Sequence, residues 1–368
     1  MLRIGIITPS ANEFPFLGKD FINSITLSLA GSGDNIRLFT RETERGIPVE
    51  TVPLVRQLIV GDEVDVVIGF TDTKLASEIS DLLDNTGVPC LLTDMGPRLP
   101  LAETETPANL FYNTFRIWES CLLTGMVASA KHGTHPGVLA SFFDSGYPLV
   151  YAHHLGTSLL QPGEERFVAV THKDPSGETF EDVTQMLQET QPDYIFGSYY
   201  GKQRNDFWQW LQRIGYPAAR IFASPGIGPR SGRETYVTSW CPEVDSVENS
   251  SFIDLYREHN KRPVSEFAML GYETGLIIGH CFGNEAVPDR ELFGKRLETI
   301  GLSGPRGEIR FDSRTRSTYT DPYLVEFIEG EEAPRVTRLD YPLEKVRQEI
   351  ANGQFINQIG WKNTYLCK

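Results

Sequence analysis

Hydroxyls, carboxylates and aromatic rings recur in this chain at one kind of position, at or just past a segment that reads as a buried β-strand. Ser10, Glu13, Phe14 and Phe16 follow Leu2–Thr8, and Thr71, Asp72 and Thr73 follow Val64–Phe70. Thr93, Asp94, Met95 and Gly96 close the segment that begins at Val88. In the second half, Asp144, Ser145 and Tyr147 follow Gly137–Phe143. Tyr199 and Tyr200 end the run from Asp193, and Ser224 and Pro225 follow Arg220–Ala223. Ligands of open parallel sheets bind beyond the carboxyl ends of the strands. Hydroxyls and free N–H groups at helix starts there can hold a carboxylate or an amide without any cation. Aromatic rings supply a flat wall with a polar tip. Any one of these residues serves equally well as a helix cap or as core packing. Their collective placement is what points to binding.

Signatures of covalent chemistry are missing. The chain has no GxxxxGK[ST] phosphate loop, no GxSxG elbow and no HExxH. Gly31-Ser32-Gly33 follows a helical stretch and reads as its stop. His132 and His135 lie three apart in a Gly/Pro-bounded loop and His153-His154 is a pair, but neither comes with the further ligands that zinc needs. Glu181 and Asp182 read as a solvated helix start that favours the dipole. No catalytic residue, metal or cofactor is therefore expected. Five widely spaced cysteines (Cys90, Cys121, Cys241, Cys281 and Cys367) contain no CxxC and read as buried thiols.

These positions need elements to hold them. At 368 residues the chain is long enough for two lobes, each with its own core. Lys and Arg number 34 against 49 Asp and Glu, a net charge of −15, which disfavours binding to nucleic-acid backbones. No apolar run approaches the ~18–20 residues of a membrane span; Phe267–Phe282 is interrupted by Gly271, Glu273 and His280. The first residues read as a core strand and not as a secretory leader. The expectation is a periplasmic or extracellular protein if a presequence was removed, and a cytoplasmic one otherwise.

Strand and helix patterns alternate twice. In the first run, helical spacing covers Leu17–Leu29, Val52–Val60 and Lys74–Leu83 between apolar strand segments. In the second, helices are expected at Ile117–Lys131, Tyr147–Leu160, Phe180–Glu189 and Asp206–Ile214. This alternation predicts an α/β protein of two doubly wound parallel-sheet lobes. Three helices follow Glu243, then a short strand at Glu308–Phe311 and a late hairpin of Tyr323–Ile328 with Arg335–Leu339. Phe355, Ile356, Trp361 and Tyr365 in the tail are expected to dock on the body.

Four stretches resemble a known family. Arg3-Ile4-Gly5-Ile6-Ile7-Thr8-Pro9-Ser10 with Leu17–Phe21, Asp65–Gly69 with Gly87-Val88-Pro89, and Asn109–Arg116 are similar to segments of type I periplasmic binding proteins. The most specific is Leu302-Ser303-Gly304-Pro305-Arg306-Gly307-Glu308-Ile309-Arg310-Phe311-Asp312. The resemblance is to the branched-chain amino-acid (Leu/Ile/Val) receptors of ABC transporters. It implies two lobes joined by three crossings near Arg116–Trp118, Cys241–Asp245 and Thr320–Tyr323. Residues 1–117 and 246–322 would form one lobe, and 118–245 and 323–368 the other. It further implies a small polar ligand in the cleft, hinge closure, delivery to ABC transporter membrane subunits, and neither catalysis nor direct membrane insertion.

Carried over residue by residue, the resemblance places Thr71-Asp72-Thr73 and Thr93–Gly96 at the ligand in the first lobe. In the second it places Tyr147 with Tyr199 or Tyr200. Ser224-Pro225-Gly226 departs from the pattern, which has an acid there for the ligand ammonium. Asp72 sets a negative charge where a carboxylate would dock, and like charges ~4 Å apart near a surface repel by ~4 kcal/mol. An amide, a neutral polar molecule, or a cation held by Asp72, Asp94 or Glu13 fits better. Trp118 and Phe14 would then form an aromatic wall, with a cation–π contact in the last case. Two other readings compete: a cytosolic sensor on the same fold, similar to an amide receptor, and an unrecognised α/β enzyme.

Overall fold

Strands that carry helices on both faces have no polar side, so their sequences are continuous apolar runs. The first five are β1 (Leu2–Pro9), β2 (Ile36–Thr43), β3 (Val66–Phe70), β4 (Cys90–Asp94) and β5 (Leu110–Thr114), linked by α1 (Leu17–Leu29), α2 (Pro48–Arg56) and α3 (Leu75–Thr86). β3, β4 and β5 are buried at every residue, whereas edge strand β2 alternates. The computed structural model describes residues 1–341 and 346, apart from 13, 31–34, 45, 72–74, 97–106, 142–145, 161–162, 172, 175–176, 179, 227–231, 283–288 and 329–330. The expected stop at Gly31–Gly33, Asp144, Ser145, Cys367 and the tail aromatics lie outside the described residues.

The chain continues through α4 (Ile117–His132), β6 (Gly137–Ser141), α5 (Gly146–Leu160), β7 (Phe167–Thr171) and a small hairpin, β8 (Lys173–Asp174) with β9 (Gly177–Glu178). Next come α6 (Glu181–Thr190), β10 (Ile195–Ser198), α7 (Gly201–Ile214), β11 (Ile221–Ala223) and β12 (Tyr236–Thr238). The last part holds α8 (Val247–Asn260), α9 (Glu266–Phe282), α10 (Leu292–Glu298), β13 (Leu302–Gly304), β14 (Gly307–Asp312), β15 (Ser317–Tyr319), β16 (Tyr323–Glu326) and β17 (Arg335–Arg338). α2 starts earlier than its apolar pattern, at Pro48, because a proline ring pre-sets the first helical position. β12, β13 and β15 were not anticipated. Three residues are too few to set a period, and these strands exist by pairing with neighbours already in place.

The described residues build an eight-stranded sheet in the order β13-β14-β15-β5-β4-β3-β1-β2 and a four-stranded parallel sheet in the order β11-β10-β6-β7. β12, β16 and β17 form a third, antiparallel sheet. The chain passes from the eight-stranded to the four-stranded sheet after β5, returns to the eight-stranded sheet after β12 of the third sheet, and goes back to the third sheet after β15. One hydrophobic cluster runs from β1, α1 and α9 through α4 to β10, and the opposite faces of the two sheets have their own clusters. In each lobe a helix pair closes on a glycine. A Cβ at Gly271 of α9 would fall 2.4 Å from the Phe21 carbonyl of α1, and one at Gly156 of α5 1.9 Å from the Leu122 carbonyl of α4.

Candidate functional site

Strand order reverses between β1 and β3 in the first sheet and between β6 and β10 in the second. Crevices outside the carboxyl ends at such switch points are where α/β sheets bind ligands. Thr71 stands at the first, just past β3. It is buried, and its Oγ1 has no hydrogen-bond partner. Asp72, Thr73 and Glu13 lie outside the described residues. Ser10 bonds through its hydroxyl to Glu42 and, with Phe14, lines a separate cavity of about 530 Å³ between β1, β2 and α1. Phe14 packs edge-on to Phe267 at 5.3 Å.

The loop after β4 does other work. Thr93 Oγ1 lies 3.3 Å from Thr274 Oγ1, and Asp94 Oδ1 accepts the Gly96 N–H at 3.0 Å. Met95 is fully buried in the core. The Met95 and Gly96 carbonyls accept the N–H groups of Ile117 and Trp118. This loop therefore ties the first crossing to the sheet. The aromatic wall expected of Trp118 does not form, since the ring is 2% exposed and sits inside the main core. The reason is that α4 is enclosed on all sides for its first 13 residues.

In the second lobe Tyr199 also turns inward. It stacks on Phe207 at 4.9 Å, and its hydroxyl lies 3.1 Å from Thr171 Oγ1. Tyr200 takes the N-cap position of α7 with its hydroxyl near Ser198 and Ser224. None of these three buried hydroxyls makes a hydrogen bond of good geometry. Burial pushes the Tyr200 phenol far above its ordinary value, so it stays protonated as a donor. Pro225 is buried beside Ser224. Tyr147 lies in α5, but its side chain is outside the described residues.

A cleft of about 870 Å³ opens among α1, α7, β12 and the α8–α9 connection. Phe16 and Asp20 come from the start of α1 and Arg262 to Glu266 from the α8–α9 connection; Arg204 and Trp208 come from α7, joined by Gly226 and by Tyr236 of β12. The second crossing adds Trp240 and Cys241. Asp20 is spoken for: it accepts from Tyr256 Oη, Arg262 Nη2 and Ser265 Oγ, which pins α1 to the start of α9. Arg204 donates from Nε to Glu234 Oε1 at 2.8 Å and lies over the Tyr236 ring.

The family model described as "Periplasmic binding protein" matches residues 2–332. The chain belongs to that family. A relative of this periplasmic binding protein, "Leu/Ile/Val-binding protein homolog 6" from Brucella abortus (strain 2308), is 20% identical over 356 residues, covering 90% of this chain and 89% of the relative. Among solved structures, a solute binding protein of an ABC transporter from Rhodopseudomonas palustris BisB5, in complex with 3,4-dihydroxybenzoic acid, superposes with a TM-score of 0.70 at 20% identity. It covers 93% of this chain and 99% of its own. The branched-chain amino acid transporter substrate binding protein from Streptococcus pneumoniae, in complex with isoleucine, gives 0.68 at 16%, covering 92% and 100%. The type I two-lobed α/β fold is common to all of them.

In this binding protein Tyr200, Ser224 and Ser198 come together, with Thr71 in the other lobe, while Thr93–Gly96, Trp118 and Tyr199 serve the scaffold. Gln203, Arg204 and Glu234 escaped the sequence reading. A signal was present. Lys202 and Arg204 stand in the first turn of α7, which holds no acid, although the dipole favours anions there. Among the described residues no three of His, Cys, Asp or Glu gather as metal ligands, and no helix is long and apolar enough to cross a membrane. Cys90, Cys121, Cys241 and Cys281 are buried thiols, and burial raises the first two far above the ordinary range.

Proposed function

We propose that this periplasmic binding protein captures a small polar solute in the 870 Å³ cleft and presents it, with the lobes closed, to the membrane subunits of an ABC importer. One lobe would comprise residues 1–117 and 246–322, the other 118–245 and 323–368. The observation that carries the reading is the pairing of unsatisfied groups across the molecule. Thr71 Oγ1 is left over at the first switch point, and Ser198 Oγ, Tyr200 Oη and Ser224 Oγ at the second. Leaving a buried polar atom unbonded costs about 1–3 kcal/mol. These four residues do not themselves line the 870 Å³ cleft; they support the reading as unspent groups at strand carboxyl ends, where α/β sheets bind ligands. A solute held in the cleft would favour the closed arrangement. The roles of Asp72, Thr73 and Tyr147 as further contacts follow from the family pattern, that of Glu13 from its place past the first strand, and all belong to the same proposal.

The test is titration calorimetry with amino acids, aliphatic and aromatic amides, ureas and aromatic acids, followed by small-angle scattering with the best ligand. Saturable binding with a fall in radius of gyration supports the reading. Turnover of a bound compound, or no binding by any class, overturns it.

A further inference from the structure

Two paired side chains in the second lobe, Arg204 and Glu234, are buried with hydrogen-bonding capacity unused, as is Gln203, the residue before Arg204 in α7. Arg204 is 3% exposed, Gln203 3% and Glu234 0%. The Arg204–Glu234 pair makes one bond, Nε to Oε1, and leaves Arg204 Nη2 and Glu234 Oε2 without partners. Gln203 leaves both its Nε2 and its Oε1 without partners. The surplus of the pair is balanced, with one donor atom and one acceptor atom. It lies beside the wall that Arg204, Gly226 and Gly232 give to the cleft. Both glycines make way for the pair: a Cβ at Gly226 would fall 1.2 Å from Arg204 Nη1, and one at Gly232 would fall 2.4 Å from Glu234 Oε2. Neither contact carries a positive φ, so closeness to the pair and not backbone geometry is what excludes a side chain there.

We infer that Arg204 and Glu234 read one end of the solute, and that this end is a neutral planar group with both a carbonyl acceptor and an N–H donor, a carboxamide or a urea. The inference rests on the solute-binding reading above. The carbonyl oxygen accepts from Arg204 Nη2, and an N–H group donates to Glu234 Oε2. A carboxylate in the same place would satisfy Arg204 and set a like charge against Glu234. An ammonium would satisfy Glu234 and face Arg204. The pair cancels its own charge, so only an uncharged group with both functions answers both of its spare atoms. Sites built this way discriminate strongly against analogues that leave a buried polar group unpaired.

The decisive comparison uses the whole protein and matched ligands: benzamide against benzoate, isobutyramide against isobutyrate, with phenylurea and leucine in the same calorimetric series. A carboxamide or urea is expected to bind at least about ten-fold more tightly than its carboxylate counterpart. The double variant Arg204→Met/Glu234→Met, which keeps volume and neutrality, is expected to lose that ligand by about ten-fold or more while holding its unfolding midpoint. If that variant fails to fold, the wild-type matched pairs still decide. Preferential binding of benzoate, isobutyrate or leucine overturns the inference and leaves solute capture standing. Amide binding that survives in the folded double variant also overturns it. Silence from the entire series overturns both.

Discussion

Three arginine–glutamate pairs are buried among the described residues, and two of them, Arg306–Glu273 and Arg204–Glu234, are finished to different degrees. In the first lobe Arg306 and Glu273 are both wholly enclosed. Arg306 donates to Glu273 Oε2 from Nε at 2.8 Å and Nη2 at 2.6 Å, to the Thr114 carbonyl from Nη1 at 2.8 Å, and to Asn113 Oδ1. Asn113 in turn bonds Thr318 Oγ1 and Thr274 Oγ1. This network joins β5, α9, the β13–β14 turn and β15, and every polar group of the pair is used. In the second lobe the Arg204–Glu234 pair makes one bond and leaves a donor and an acceptor over. A buried charge is tolerated only when paired and hydrogen-bonded. The saturated pair is therefore complete as structure, and the unsaturated one is complete only with something added.

The largest expected effect lies at the saturated pair. Glu273→Ala strands a buried guanidinium and should cost roughly 3–5 kcal/mol in urea unfolding without ligand. Even the neutral exchange Arg306→Met/Glu273→Met should destabilise, because the Thr114 carbonyl loses its Arg306 donor at roughly 1–3 kcal/mol, while Asn113 Oδ1 keeps only Thr318 Oγ1. Arg204→Met/Glu234→Met should stay near neutral. If both double variants unfold at the same urea concentration as wild type, the contrast is broken.

Acid should reach the second lobe through another unsatisfied group. His153 is buried, stacks on Phe196 at 3.9 Å, and bonds Tyr194 through Nε2 while Nδ1 has no partner. Burial, chiefly, lowers its pKa from 6.5 to about 3. The folded side chain stays neutral where the unfolded one has taken up a proton. Stability should thus fall as pH drops through this window, with a slope approaching about 1.4 kcal/mol per pH unit. His153→Phe should flatten that slope between pH 6 and about 4, read by urea midpoints at each pH. An unchanged slope refutes the assignment.

Gly226→Ala sharpens the comparison from the ligand side. Its Cβ would displace the Arg204 guanidinium, so affinity for whichever solute binds should drop by about ten-fold, roughly 1.4 kcal/mol, with little change in melting. Equal affinity for both proteins would detach Arg204 from the site. The smallest effect is expected at the second crossing. Ser246 caps α8 by accepting the Asn249 N–H at 3.1 Å, and Ser246→Ala should cost about 1 kcal/mol in thermal unfolding without altering affinity.

Most of the fold was legible in the sequence because its signals are local. A strand buried on both faces has to be apolar throughout, as Val66–Phe70 is. A helix of three or four turns has to repeat its apolar face, as Leu17–Leu29 does. The site was legible only in outline. Position past a strand end selected Thr71, Tyr200 and Ser224, whose hydroxyls stay unpartnered, and it equally selected Tyr199, Thr93 and Asp94. Those three spend their polar atoms inside the scaffold.

The amino-acid order by itself thus determined two alternating α/β runs, the stretch Leu302–Asp312 that marks the family, and the absence of an acid after Ala223. Only the tertiary structure decided which polar groups are spent and which are spare. Arg204 and Glu234 are 30 residues apart, and Arg306 and Asn113 are 193 apart. No local pattern reports whether groups so distant will meet, with which atoms, or with how many bonds left over. Satisfaction of a hydrogen bond is a property of packed geometry, and it is that property which separates the scaffold of this protein from its candidate site.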